Sequence, residues 1–320
     1  MQRASAIPSS PVFFRCAGVR CGAALLVVAA SSLLTGCGDD DTTAPPAAPV
    51  VPAMSDASAG AGSIRELTLT AGWLDTGEFD AATYDAHARL AATTMAFRRI
   101  EAPRVASSAS LTSAPSAGHA WYLACFETTQ GQWQQIVRRA GFTDDERLMP
   151  WRSVAPPSVL GSAPERAELP ACGISFSRIK EVLTAYNSLA GTNDPTLRLP
   201  TASEWEYACR AGSSGPYAWG ESREVEDVST YAVVRETRVS NGADVVGGRG
   251  ATLRQPNAFG LFDMHGNVWE LVTSEHGEEI TGRGGSWSDN LISASSASIT
   301  PMDRELPYAL AGLRLVLVLR

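Results

Sequence analysis

The stretch Pro256-Asn-Ala-Phe-Gly-Leu-Phe-Asp-Met-His-Gly-Asn-Val-Trp-Glu270 contains two carboxylates at the ends of an eight-residue loop, Asp263 and Glu270. Between them, a turn containing glycine exposes backbone carbonyls at Gly266 and Val268. Carboxylate and carbonyl oxygens are the ligands that a hard cation such as Ca²⁺ prefers in proteins. The loop therefore predicts a calcium site.

Three helices are predicted before this loop in the chain. Capping boxes at residues 129–132 and 201–204 each mark a helix start, and glycines at 141 and 212 mark the corresponding ends. A further helix is predicted over residues 177–189 from its apolar spacing. Beyond residue 212 the chain is rich in Gly, Asn, Ser and Asp, with short strand-like runs such as 313–319. The pattern predicts a mixed α and β domain in which loops are abundant.

Composition limits the class of protein. The chain has 320 residues, of which 44% are apolar and 19% charged, so a disordered, collagen-like or coiled-coil chain is excluded. The first 36 residues contain three arginines and no acid; without them 23 basic residues face 34 acidic ones, a formal charge of −11. A nucleic-acid-binding surface is therefore not expected. The four histidines lack H-x-x-H spacing, so a zinc hydrolase site is not expected either.

The first 36 residues have the layout of an export signal. The apolar run Ala23–Leu34 is shorter than the roughly 20 residues of a spanning helix. It ends in Leu34-Thr-Gly-Cys37, which resembles the bacterial lipobox; a plain secretory signal that leaves Cys37 unmodified is the alternative. We therefore expect residues 1–36 to be a lipoprotein signal peptide and Cys37 to be lipidated. The domain would then lie in the cell envelope, outside the cytoplasm, anchored to a membrane only through lipid.

The composition changes twice after the anchor. Residues 37–62 consist largely of Ala, Pro, Thr, Ser, Val and Gly, which predicts a disordered tether. Residues 63–94 mix strand-like and helix-like patterns, and we assign this extension no function. Residues 95–320 are predicted to form the folded domain.

Six motifs follow one another along residues 95–320. They are Phe126-Glu-Thr-Thr129, Arg198-Leu-Pro-Thr-Ala-Ser-Glu-Trp-Glu-Tyr-Ala208, Tyr217-Ala-Trp-Gly220, Pro256–Glu270, Arg283-Gly-Gly-Ser-Trp287 and Gly312-Leu-Arg314. Taken in this order, they resemble the formylglycine-generating enzyme (sulfatase-modifying factor) family. The resemblance covers residues 95–320 and implies an α+β fold, a variant of the C-type lectin-like fold that is low in regular secondary structure.

The same resemblance supports the calcium site. Its implied ligands are the side chains of Asp263 and Glu270 and the backbone carbonyls of Gly266 and Val268, with calcium in a structural role. The alternative is that the two carboxylates only cap turns or pair with Arg314.

The copper chemistry of the family is not expected here. Family oxidases bind copper(I) through two cysteines after the Gly-Gly-Ser-aromatic motif, and those positions fall on Asp289 and Ala294. Carboxylate and methyl groups do not replace thiolates as copper(I) ligands. No cysteine follows Cys209, so a shifted alignment cannot restore the pair.

Three cysteines remain in the predicted domain: Cys125, Cys172 and Cys209. An odd number leaves at least one free thiol. The resemblance implies that this is Cys209, because the position of its family disulfide partner falls near Ile299. Cys125 and Cys172 then form a possible disulfide, with two buried thiols as the alternative.

Two classes of function stay open. In the first, the domain is a non-catalytic binding or assembly module for an unknown protein, peptide or glycan, and Trp287, Ser288 and Asp289 line the former substrate groove. In the second, it is an enzyme of the superfamily that performs cysteine oxidation or another oxidation with a site that lacks thiols. The first class is preferred because the copper ligands are missing.

Overall fold

The computed structural model describes residues 61–69, 74–79, 94–101, 120–152, 167–192, 194–238, 254–277 and 279–319. All of them belong to one unit, residues 51–320. The predicted signal peptide, Cys37 and most of the predicted tether lie outside the described residues. None of the helices within the described ranges is long and apolar enough to cross a membrane.

Ten strands and five α-helices make up the described secondary structure. The strands are β1 (Ala61–Thr68), β2 (Leu74–Phe79), β3 (Thr94–Glu101), β4 (Ala120–Ala124), β5 (Thr196–Arg198), β6 (Trp269–Thr273), β7 (Ile280–Arg283), β8 (Thr300–Pro301), β9 (Ala311–Gly312) and β10 (Val316–Val318). The helices are α1 (Gln130–Arg139), α2 (Phe176–Ser188), α3 (Ala202–Arg210), α4 (Val225–Tyr231) and α5 (Arg235–Arg238), with 3₁₀ turns at Pro150–Arg152 and Leu291–Ala294.

The strands form two sheets. The larger has the order β2-β1-β3-β4-β10-β5 and is antiparallel throughout. The smaller has the order β8-β7-β6-β9, in which β6 and β9 run parallel. Much of the remaining described chain is turn and loop, as the sequence predicts.

The three predicted helices are confirmed. The Thr129 and Thr201 hydroxyls each accept a hydrogen bond from the backbone N–H three residues on, and the side chain of that third residue, Gln132 or Glu204, accepts one from the backbone N–H of the threonine. The α1 face that carries Trp133, Ile136 and Val137 is fully buried, and a cap of this kind contributes about 1 kcal/mol. These local signals fix where α1 and α3 begin.

The predicted N-terminal extension contributes to the larger sheet. Strand β1 pairs with β3, and β2 pairs with β1, so the extension at 63–94 supplies two strands of the larger sheet. Strand β1 begins at Ala61, and so also takes in the last two residues of the predicted tether. The physical reason is apolar burial: Leu67 and Leu69 are 1% exposed and pack with Phe97 in the main core.

The main core lies between the larger sheet and helices α1 and α2, around Trp133, Tyr186 and Leu315. A second core packs α3 against β6 and the 258–264 loop, around Trp205 and Cys209. The 263–270 loop leads into the start of β6 and lies next to this second core.

Candidate functional site

The 263–270 loop is a buried turn held by backbone hydrogen bonds. Asn267 N–H donates to the carbonyl of Val233 at 2.8 Å, and Gly266 N–H donates to the carbonyl of Gly284 at 2.8 Å. Gly266 has φ +82°, and a Cβ there would lie 2.1 Å from the Val233 carbonyl oxygen, so this position requires glycine. The loop is thereby joined to the Gly-Gly turn after β7.

Glu270 forms a buried ion pair with Arg314. The guanidinium Nε lies 3.0 and 2.9 Å from the two carboxylate oxygens, and its NH2 group lies 2.7 Å from Oε1. The indole N–H of Trp205 donates to Oε2 at 2.7 Å. Arg314 also donates to the carbonyls of Ala124 and Phe262, so it ties both sheets to the 263–270 loop. The pairing of Glu270 with Arg314, considered in the sequence analysis, is therefore present in the structure.

Two further carboxylates lie close to this pair. Glu127, buried just before α1, accepts hydrogen bonds from the Asn267 side chain and from the backbone N–H of Val268. Burial, together with the negative charges of Glu270 and Asp263, raises the pKa of Glu127 well above its usual value. Burial also raises the pKa of Asp263 to about 7, although Arg314 opposes the shift.

This centre fits a bound cation. Three buried carboxylates lie close together, and their mutual repulsion contributes to the raised pKa values of Glu127 and Asp263, although Arg314 and Arg254 oppose the shift at Asp263. Two buried oxygens, Asp263 Oδ1 and Asn267 Oδ1, have no hydrogen-bond partner, which is costly in a protein interior unless a ligand completes them. In the described ranges no group of three or more His, Cys, Asp or Glu side chains is arranged to hold a metal, so carbonyl oxygens would have to complete the shell. Calcium accepts such mixed ligands, and the Glu270 carboxylate would be shared between it and Arg314.

The Gly284–Asp289 turn has a different organisation, because its acidic group is used internally. Asp289 Oδ2 accepts hydrogen bonds from Trp269 Nε1 at 2.8 Å, from Ser286 N–H at 3.0 Å and from the Ser286 hydroxyl at 2.5 Å. The carboxylate therefore closes the turn and attaches it to β6. Trp287 and Ser288, the other predicted groove residues, are partly exposed beside it.

Ala294, at the second family cysteine position, is fully buried. Its methyl group belongs to a small apolar cluster with Tyr217, Val234 and Leu291. A Cβ at Gly285 would lie 2.9 Å from the Cα of Ala294, so the turn and the 3₁₀ helix are in close backbone contact. Positions 289 and 294 thus present a hydrogen-bonded carboxylate and a buried methyl group.

Cys209 is a buried free thiol, as predicted, and lies beneath this turn. Its Sγ lies 3.5 Å from both His265 Nε2 and the Ser296 hydroxyl. Burial raises the pKa of Cys209 to about 12 and lowers the pKa of His265 to about 4. Because His265 Nδ1 lies 2.7 Å from the Ala294 carbonyl and Nε2 receives the Ala218 N–H, we assign the neutral Nδ1–H tautomer. The thiol and the imidazole are therefore both neutral at pH 7.

The possible disulfide between Cys125 and Cys172 is absent from the structure, in which both are free cysteines. Cys125 packs with Phe262 in a small apolar cluster after β4, whereas Cys172 forms a backbone bridge to Gly312 at β9. Burial raises the pKa of each thiol to about 11. The spacing of the two cysteines along the chain carries no information about these separate environments.

Sequence reasoning missed Glu127 and His265 as members of the site. Glu127 lies in a quoted motif, and the available signal was a carboxylate between the apolar strand β4 and a helix cap. His265 lies within the 263–270 loop itself, but its link to Ala294 depends on a contact 29 residues along the chain.

An open depression of about 630 Å³ lies away from this centre, along the outer face of α2. Phe142, Lys180, Thr184 and Arg304 are among the residues that line it.

The fold and the buried centre define a class of protein: α+β domains of the formylglycine-generating-enzyme-like fold. Residues 96–319 match the family described as "Sulfatase-modifying factor enzyme 1-like domain". The chain therefore belongs to the sulfatase-modifying factor family, and the predicted fold is confirmed.

Named relatives include active and inactive enzymes. The chain is 40% identical over 81 residues to "Formylglycine-generating enzyme" of Mycobacterium tuberculosis, covering 24% of this chain and 27% of that protein. It is 30% identical over 146 residues to "Inactive C-alpha-formylglycine-generating enzyme 2" of Bos taurus, covering 43% and 44%. The matches thus span less than half the length of these relatives. The family contains catalytic and non-catalytic members.

Two solved structures show the same fold. "Treponema denticola variable protein 1" superposes with a TM-score of 0.50 at 16% identity, covering 70% of this chain and 95% of that one. "PvdO from Pseudomonas aeruginosa" superposes with a TM-score of 0.51 at 18% identity, covering 70% and 94%. Identities this low support the fold alone.

Proposed function

We propose that this protein is a non-catalytic binding or assembly module, displayed on a lipid-anchored chain in the bacterial cell envelope. The observation that carries the proposal is the state of the two family cysteine positions. The Asp289 carboxylate accepts three hydrogen bonds from within the protein, and the Ala294 side chain is a buried methyl group. Copper(I) needs soft sulfur ligands, and neither residue supplies them.

The thiol of Cys209 does not substitute for the missing pair. Cys209 is 0% exposed, and His265 and Ser296 already contact its sulfur. Its raised pKa of about 12 keeps it protonated near pH 7, and the thiolate is the form that binds copper. Kinship with the inactive relatives supports the same conclusion.

Calcium is proposed as a structural cofactor at Asp263, Gly266, Val268 and Glu270. When bound, it would offset the repulsion among the three buried carboxylates and complete the unpartnered oxygen of Asp263. This role concerns the stability of the scaffold and requires no chemistry at the Gly284–Asp289 turn.

Mass spectrometry of a cysteine-containing sulfatase peptide tests the absence of catalysis. The purified protein is incubated with the peptide, copper(I), oxygen and a reductant, beside an active formylglycine-generating enzyme as the positive control. We expect no formylglycine from this protein. Conversion that persists in Cys209→Ser would overturn the proposal and favour the alternative, an oxidase whose site lacks thiols. Conversion that disappears in Cys209→Ser would overturn it in favour of a thiol-dependent site.

Lipid anchoring is tested separately, by growing cells that express the chain with radiolabelled palmitate. We expect the parent to incorporate label and to fractionate with membranes, and Cys37→Ser to do neither. Equal labelling of the two chains would contradict the proposed anchor.

A further inference from the structure

The guanidinium of Arg283, at the end of β7, is almost as deeply buried as that of Arg314 but makes longer hydrogen bonds. Arg314 is 0% exposed and donates to the Glu270 carboxylate and to two carbonyls at 2.7–3.0 Å. Arg283 is 1% exposed, and its Nη1 donates to Glu206 Oε2 at 3.4 Å and to the Ser296 carbonyl at 3.5 Å. Its Nε has no hydrogen-bond partner. Because N–H···O distances are normally about 2.9–3.0 Å, the donors of this buried cation are only weakly engaged.

The carboxylate that faces Arg283 is shared with a second arginine. Glu206 is 0% exposed, and its Oε1 lies 3.0 Å from both Nε and Nη2 of Arg210, which is 7% exposed. Two buried guanidinium groups therefore lie against one buried carboxylate. Because arginine keeps its proton at neutral pH, these three side chains together have one positive charge that none of them balances.

The Cys209 thiol does not supply the missing negative charge. It is the other acidic group that acts on Arg283, but burial raises the pKa of Cys209 to about 12, so the thiol is neutral at pH 7. Burial also lowers the pKa of Arg283, and Arg210 lowers it further, although Glu206 opposes the shift. This direction is the one expected for a buried cation that its surroundings compensate incompletely.

A ligand of Arg283 has to be small and negatively charged. A buried polar group without a partner in a native protein calls for an explanation such as a bound water or ion. A water molecule accepts from Nε–H but brings no charge, so it would leave the positive charge uncompensated in the interior. The phosphate or carboxylate of a larger molecule would need an opening to the surface, whereas Arg283, Glu206 and Ser296 are each at most 1% exposed. A monovalent inorganic ion such as chloride meets both conditions.

We propose that the unpartnered Nε of Arg283 binds a buried monovalent anion of the size of chloride, which balances the charge of the Arg283, Glu206 and Arg210 cluster. The cluster joins α3 to the end of β7, directly before the Gly284–Asp289 turn. A bound anion would therefore stabilise the attachment of that turn to α3. This inference is independent of the proposed binding function.

Replacement of chloride by a larger anion tests the site through thermal stability. The full chain is melted in sodium chloride and in sodium methanesulfonate at equal ionic strength, because methanesulfonate is too large for a closed site. Chelator is present in both buffers, so that a calcium response does not contribute. Arg283→Gln removes the excess charge together with Nε. Arg178→Gln is the matched control, because the pair of Arg178 with Glu181 is exposed.

At a chloride concentration about tenfold above Kd, we expect the Tm of the parent to lie roughly 3–6 °C above its value in methanesulfonate. Arg178→Gln should show the same rise, and Arg283→Gln should show none. A parent that melts at the same temperature in both salts would overturn the proposal, and so would an equal chloride response in parent and Arg283→Gln.

Crystals of the parent grown in bromide locate the ion directly, and they decide the question even if Arg283→Gln fails to fold. We expect an anomalous peak within hydrogen-bonding distance of Arg283 Nε. Density at that position without anomalous signal would identify a water molecule and overturn the proposal. A bromide peak without any effect of chloride or bromide on Tm would show an adventitious ion only, which would also overturn it.

Discussion

The buried charge centre around Glu270 and the Gly284–Asp289 turn meet through the hydrogen bond from Gly266 to Gly284, yet they differ in what their polar groups can still do. In the charge centre, carboxylates outnumber the guanidinium and two buried oxygens have no partner. In the turn, the Asp289 carboxylate is held by Trp269 and Ser286. The charge centre has oxygen atoms that could bind a ligand, whereas the Asp289 carboxylate holds its turn together. Family motifs thus persist in both regions, while the chemistry available in each differs.

The largest expected effect comes from breaking the ion pair of the charge centre. Glu270→Gln keeps the shape of the side chain but removes the carboxylate that pairs directly with the buried Arg314 guanidinium, which then has only the more distant Glu127 and Asp263 as counter-charges. We expect a loss of about 3–5 kcal/mol in the free energy of unfolding, measured by urea denaturation. Arg178→Ala is the matched control: its pair with Glu181 is exposed, and its removal should cost about 0–1 kcal/mol. A cost below about 1 kcal/mol for Glu270→Gln would show that the centre does not hold the fold together.

Removal of the proposed cation separates the role of Asp263 from that of Glu270. At a calcium concentration a hundredfold above Kd, binding to the folded state adds about 2.7 kcal/mol of stability. We expect the parent to melt higher in calcium than in chelator, and Asp263→Ala to melt at the same temperature in both. Magnesium should replace calcium poorly, because it demands stricter octahedral geometry. An equal calcium response in parent and variant would contradict the assignment of Asp263 as a ligand.

A smaller effect is expected from opening the Gly284–Asp289 turn. Asp289→Ala leaves Trp269 Nε1 and the Ser286 N–H without their acceptor, which costs about 1–3 kcal/mol when such donors are buried. Asp289→Asn retains an acceptor oxygen and should lose less than half as much. If both variants melt at the same temperature as the parent, the Asp289 carboxylate does not stabilise the turn. The hypothesis that it lines a ligand-binding groove would then be restored.

The smallest expected effect is on the reactivity of the cysteines. Their thiols are uncharged near neutral pH and react slowly with alkylating reagents. Burial holds the pKa of Cys209 at about 12, so its thiolate fraction at pH 8 is roughly a thousandfold below that of an ordinary cysteine. We expect iodoacetamide to label the partly exposed Cys172 first, and to reach Cys125 and Cys209 only after unfolding. Peptide mass spectrometry measures the order. Rapid labelling of native Cys209 would place an accessible thiol beneath the former copper site.

Local signals in the sequence predicted part of this picture well. The capping boxes at Thr129 and Thr201 depend on residues three apart, and they located α1 and α3 correctly. The charge centre was only partly predictable, because Glu127 reaches it across 140 residues of chain. Residues 63–94 showed a strand-like pattern, but its place in the larger sheet was not predictable, because the partner of β1 is β3 and that pairing depends on contacts outside the pattern.

The position of β10 between β4 and β5 also delays completion of the larger sheet during synthesis. The hydrogen bond from Arg314 to the Ala124 carbonyl spans 190 residues of chain. At synthesis rates of about 5–20 residues per second, β10 is made roughly 10–40 s after β4 and can pair with it only then. During that interval the larger sheet is unfinished, so the nascent chain stays open. That is the form in which a polypeptide with the proposed export signal would be threaded across a membrane.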